Sequence, residues 1–295
     1  MSRRETQGVE RPGADPSPAT RPTIDRRAFG IGLGAAAASL AATIWMPRRA
    51  EAFGEEGAFN PRVLLTGNAR WEGVRTTAPA RWSAELVGRT SAPARKSPGT
   101  VRADEPVLLA EPFAIWGGDS DIPRLTEREV SGLKRFLALG GVLFVDDFAP
   151  DASPSGAAPG AQAASPTAPG AFTRAAKREL ERVIPEGSPI LLDDTNVLFK
   201  SFYRVRRPEG RVVGPAKLEA VVRGGLPQVI FSAHDLLGAL AQVSEGVDTL
   251  PIDTQQREQA IRLAVNIAMF VLCSNYKDDQ VHASYLLKRK GAPTP

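Results

Sequence analysis

The sequence predicts an α/β domain: an open, mostly parallel sheet flanked by helices on both faces, with a C-terminal hairpin and a buried helix. Three observations predict it. Short apolar runs alternate with amphipathic stretches, the pattern of strands joined by crossover helices. Residues 126–147, TEREVSGLKRFLALGGVLFVDD, form a complete helix-turn-strand unit. Residues 255–273 carry a long helical stretch whose second half, LAVNIAMFVLC, is apolar nearly all round, which asks for burial and is too short to span a bilayer.

The 126–147 unit is the clearest. Thr126 and Glu129 have the spacing of a capping box, in which each side chain satisfies the other's backbone amide. Val130, Leu133, Phe136 and Leu137 recur at helical spacing, with charged residues opposite. Gly140-Gly141 ends the helix, because a helix C-terminus favours a left-handed residue without a Cβ. Val142 to Val145 is an unbroken apolar run, as in a strand covered on both faces, and it ends in Asp146-Asp147.

The remaining elements follow in order. Arg62 to Thr66 reads as a short buried strand closed by Gly67, and Pro79 opens a helix that runs through Trp82, Leu86 and Val87. Residues 91–100 read as loop, Val107-Leu108-Leu109 as a brief extended piece, and Phe113 to Trp116 as a strand ending at Gly117-Gly118-Asp119. Residues 149–171, almost wholly Ala, Pro, Ser, Gly, Thr, Asp and Gln, bury too little to offset their ordering entropy and read as a disordered insert. Phe172 to Ile184 reads as a helix stopped by Pro185, Pro189 to Leu192 as a strand, and NVLFKSFY (196–203) as an apolar-aromatic segment packed under the sheet edge. Residues 218–223 and 228–232 read as a hairpin turned by Gly224-Gly225, with a helix beginning at Leu236. Residues from Asn275 to Lys290 read as a polar, mobile or lightly docked tail, and residues 286–295 lie beyond a single domain spanning 58–285.

Composition narrows the function classes. The apolar fraction of 42% with 24% charged residues is ordinary for a globular chain. The net charge of +4 is concentrated in the first 52 residues by Arg3, Arg4, Arg11, Arg21, Arg26, Arg27, Arg48 and Arg49. The domain itself therefore has no demand for a nucleic-acid partner, which needs a clustered basic surface. A single cysteine, Cys273, excludes an internal disulfide and a Cys-rich metal site.

Residues 1–25 are polar and read as disordered. Arg26 and Arg27, a Gly/Ala-rich apolar segment from Ala28 to Met46, and Ala50-Glu51-Ala52 stand in the order of a twin-arginine export signal with a cleavage site after Ala52. The mature chain would start at Phe53, in the periplasm or outside the cell. Uncleaved, the segment would tether the protein to the membrane, the one membrane contact the sequence offers.

Two pairs of residues are candidates for chemistry. Asp146 and Asp147 stand beyond the carboxyl end of a strand, where open α/β sheets place their sites; they suit a divalent metal or acid-base work, but on spacing alone a turn cap and a solvated carboxylate fit better, since strand-end aspartates are common turn formers. His234 and Asp235 follow a second strand and suit a base or metal ligand, or equally a helix cap beside a packed histidine. Asn266 reads as a satisfied buried amide and Cys273 as a small packed residue rather than a nucleophile. Trp71, Trp82 and Trp116 read as core or cleft wall rather than as a sugar platform. No phosphate loop, dinucleotide fingerprint or other cofactor motif occurs, so no cofactor is assigned.

FNPRVLLTGNARW, the GGVLFVDD unit, LFKSFY, FSAHDLLGAL and LAVNIAMFVLCSNYKDDQVH together resemble the bacterial family known as domain of unknown function 4159, over most of residues 59–285. The resemblance implies a flavodoxin-like sheet similar to that of class I glutamine amidotransferases, in a family whose members are often exported and have no assigned activity. Those amidotransferases hold a nucleophilic cysteine in the turn after a helix-GG-strand unit. Here that turn is Asp146-Asp147-Phe148-Ala149, without a thiol. Asn196-Val197 stands where relatives tend to carry His-Pro, and the 149–171 insert lies outside the family pattern. The expected function is an exported, non-catalytic α/β domain that binds a ligand, or a protein partner in the cell envelope, at the strand-end cleft. The alternative is a metal-assisted hydrolase using Asp146, Asp147, His234 and Asp235, with Asp146 and Asp147 as metal ligands.

Overall fold

The computed structural model describes residues 57–149, 170–244, 247, 248, 250 and 252–290. The export segment at 1–52 and nearly all of the 149–171 insert lie outside these residues.

Seven strands form one sheet: β1 (Arg62–Leu65), β2 (Thr100–Arg102), β3 (Phe113–Gly118), β4 (Val142–Asp147), β5 (Ile190–Leu192), β6 (Leu218–Arg223) and β7 (Leu226–Ser232). Their order is β2-β1-β3-β4-β7-β6-β5. The pairings from β2 through β7 are parallel, while β6 and β5 add antiparallel neighbours at the far edge. This is an open, mostly parallel α/β sheet, consistent with a flavodoxin-like arrangement. Helices α1 (Ala78–Thr90), α4 (Leu236–Leu240) and α5 (Thr254–Lys290) pack on one face, and α2 (Glu127–Ala138) and α3 (Ala171–Val183) on the other. With apolar layers on both sides, β4 is buried at every residue.

Local chemistry sets the element ends. Thr126 and Glu129 form the capping box at the start of α2. At its other end Gly140, at φ +86°, donates to the Leu137 carbonyl while Gly141 donates to Phe136, the paired bonds of a Schellman stop. The β6–β7 turn places Gly224 and Gly225 at φ +58° and +82°, as a tight hairpin requires. The Trp82 indole donates to the Ala264 carbonyl at 2.8 Å, fixing α1 on α5. Asn266, fully buried in α5, accepts from the amides of Phe202 and Tyr203 and donates to the Tyr203 carbonyl, so it is a satisfied amide that anchors the 196–203 segment.

Four local expectations are corrected. Pro106–Ala110 is a 3₁₀ turn, not an extended piece: Pro106 opens it, and the buried Arg62 guanidinium collects the carbonyls of Val107, Leu108 and Glu111. β2 lies at the end of a stretch read as loop; three residues are too few to show a period. The C-terminal helix continues to Lys290 instead of giving way to an irregular tail, since neither Gly nor Pro interrupts residues 254–290. Cys273 is exposed, because the helix passes the edge of the apolar layer just beyond Leu272. No helix among the described residues is long and apolar enough to cross a membrane.

Candidate functional site

Asp146 pairs in register with Ser232 on the neighbouring strand, so β4 and β7 bring the two candidate regions together. Asp146 is fully buried, and its two oxygens accept from the amides of Leu236 at 3.0 Å and Leu237 at 2.8 Å, the first amides of α4. Burial, and then the nearby charge of Asp235, pushes its carboxyl up to about 8, against the pull of those two amides.

Asp235 is also fully buried and caps α4 through the Gly238 amide at 2.9 Å. It holds a left-handed backbone, φ +51°, a strain that short polar residues tolerate best. Arg75 grips it with Nε at 2.7 Å and Nη2 at 2.6 Å on separate oxygens, and Arg211 Nε adds a further bond. Burial works against the charge on Arg75, but the bonds and charge of Asp235 outweigh it and raise its basicity above the ordinary guanidinium.

The other two candidates face elsewhere. Asp147 accepts from the Ala149 amide at 3.1 Å and from the amide and hydroxyl of Thr173 at 3.2 and 2.8 Å. It thereby caps α3, whose own N-cap residue is Gly170 and offers no side chain. His234 is buried, donates from Nε2 to the Pro215 carbonyl at 2.9 Å, and leaves Nδ1 without a partner. Burial pulls its pKa down to about 4, so the ring is neutral at pH 7. Of the four sequence candidates, then, Asp146 and Asp235 meet, while Asp147 and His234 do not join them. Asp146 and Asp147, the candidate metal ligands, serve the amides of two different helices. Among the described residues no group of three or more His, Cys, Asp or Glu side chains could hold a metal ion.

A cavity of about 590 Å³ opens beside this cluster, at the carboxyl ends of β1 and β3. From β1 the chain first turns outward to β2 and then crosses back to β3 on the other side, so the cavity sits at the point where the winding reverses, the usual ligand position in open α/β sheets. Its lining includes Asn68, Trp71, Arg75, Gly117, Gly118, Asp119, Phe148 and Phe172, and none of the four sequence candidates. Glu129 ties its rim to α2, one oxygen accepting from the Gly67 amide at 2.6 Å and the other serving Thr126. The Arg75 guanidinium lies 4.4 Å from the centroid of Phe148, and the Trp71 ring lies 6.3 Å from Phe148. Trp71 was legible as core or cleft wall. Arg75 and Asp119 were missed, because the winding reversal depends on β2.

The family model for the domain of unknown function DUF4159 matches residues 62–272. The chain belongs to this family. The match runs from the first residue of β1 into α5, so all seven strands of the DUF4159 sheet fall within it. No curated protein matches the chain. At the end of β4, this DUF4159 member places Asp146 on the amides of Leu236 and Leu237, and Asp147 on the Ala149 amide and on the amide and hydroxyl of Thr173. Its one cysteine is on α5.

Proposed function

We propose that the protein is a non-catalytic binding domain that takes a ligand in the cleft between the ends of β1 and β3. One observation carries this reading: the two strand-end carboxylates that meet beside the cleft are already committed, Asp146 to two helix amides and Asp235 to Arg75, Arg211 and Gly238. A general base or metal ligand needs a lone pair facing substrate, and these face the protein. The cleft, in contrast, has the size of a small-molecule site, about 300–1,000 Å³, and combines aromatic walls with a polar rim. The test is amide chemical-shift mapping of the domain against a library of small fragments. The reading expects shifts on Asn68 to Arg75 and Gly117 to Ile122. Shifts confined to other surfaces would overturn it.

The domain acts outside the cytoplasm in this reading, delivered by Arg26, Arg27 and cleavage after Ala52, and a protein partner in the cell envelope is the natural user of the ligand-bound form. Changing both arginines to lysine should hold unprocessed precursor in the cytoplasm; mature protein starting at Phe53 in that variant would contradict the export route.

A further inference from the structure

We propose that the ligand of this cleft is a neutral carbohydrate chain seated against Trp71, an inference that rests on the binding reading above. The floor comes first. A Cβ at Gly117 would run into the Phe148 ring, and one at Gly118 into Phe172, so both rings lie directly against the β3 backbone. The end of β3 is therefore covered by two aromatic rings, and the Gly118 carbonyl already accepts from the Phe148 amide at 2.8 Å, so the floor is apolar and aromatic.

The wall comes next. Trp71 is half-buried, inclined at 51° to Phe148, and borders the cavity. An indole face offers dispersion and apolar burial to the C–H face of a pyranose without requiring charge.

The distribution of charge then separates the ligand classes. Of the two guanidiniums of the lining, Arg75 is held by Asp235 at 2.6 Å, while Arg70 is exposed at the rim beside Glu72. A phosphate or nucleotide needs converging cations, and here the one exposed arginine shares the rim with Glu72, Asp119 and Asp121, the last already bonded by Arg178 at 3.2 Å. A wholly apolar ligand would strip water from those same carboxylates and from the Asn68 amide without replacing its hydrogen bonds. Vicinal hydroxyls do replace them: planar carboxylate and amide groups accept from and donate to paired hydroxyls.

The experiment is saturation-transfer difference NMR on the full chain with chitotetraose, cellotetraose and maltotetraose as probes and ATP as the contrast. At least one tetrasaccharide should receive saturation and ATP none. Trp71→Ala should weaken the tetrasaccharide about tenfold, the worth of one lost aromatic contact, and Trp71→Phe should retain part of the binding. Asn68→Ala and Asp119→Ala, both at exposed positions, should weaken it as well and carry the test if Trp71→Ala fails to fold. Binding of ATP with no tetrasaccharide bound overturns the carbohydrate assignment and leaves the cleft a ligand site. Tetrasaccharide binding that ignores all these substitutions in folded protein overturns it too. Silence of every tetrasaccharide overturns the assignment, and silence of fragments at the same amides removes the binding reading with it.

Discussion

Arg75 holds Asp235 through two parallel bonds, 2.7 and 2.6 Å long, between residues 160 positions apart in the chain. That pair closes the loop after β1 onto the start of α4. The same guanidinium lies over Phe148, whose carbonyl accepts from Arg211, the second cation on Asp235. Asp235 is thus the point to which the cleft wall is fastened.

Breaking the pair should loosen the wall. Arg75→Ala leaves a fully buried carboxylate with Arg211 as its remaining cation, which should cost on the order of 3 kcal/mol in urea unfolding. Arg75→Lys should fall between parent and Ala, since an ammonium cannot span both oxygens. An unchanged unfolding midpoint in Arg75→Ala would show that Arg211 alone suffices.

Asp146 should give the protein a pH signature. Its folded pKa, about 8, lies above the ordinary 3.8, so the folded state keeps a proton that the unfolded state loses. This group's contribution to stability is complete below pH 3.8 and declines as pH rises toward about 8. Asp146→Asn cannot ionise but loses one acceptor for α4. It should therefore be less stable than the parent at pH 5, by about 0.5–2 kcal/mol, with the gap closing as pH rises and reversing before pH 8, since a shift of this size outweighs one lost acceptor. A gap that stays constant across thermal melts in that range would mean that the carboxyl is ionised throughout.

Asp147 acts on a different helix. Asp147→Ala should uncap α3 and cost about 0.5–2 kcal/mol, and Thr173→Val, which removes the hydroxyl partner, should add little to it in a double-mutant cycle. Full additivity would show that the two residues are not acting as one cap.

The sequence carried the fold further than the site. The capping box at Thr126–Glu129, the Gly140-Gly141 stop and the Gly224-Gly225 hairpin are local devices, and each is legible because it needs particular residues at fixed offsets. The same locality explains the misses. The turn at Pro106–Ala110 depends on Arg62, some 45 residues away in the chain. The reversal that opens the cleft depends on β2, whose three residues show no pattern. Asp146 and Asp147 were visible as strand-end carboxylates, and capping was one of the two roles they could take. Which role they fill depends on which amides arrive from α4 and α3, and sequence alone could not decide it.

In the proposed function the strand-end carboxylates hold the fold together and leave the neighbouring cleft to bind. Crystals soaked in Mn²⁺ and measured for anomalous scattering test it most directly. No manganese is expected at these side chains, with Asp146 still on the amides of Leu236 and Leu237 and Asp147 still on Thr173. A manganese peak within about 2.6 Å of carboxylate oxygens of Asp146 or Asp147 would contradict it and restore the metal-assisted hydrolase.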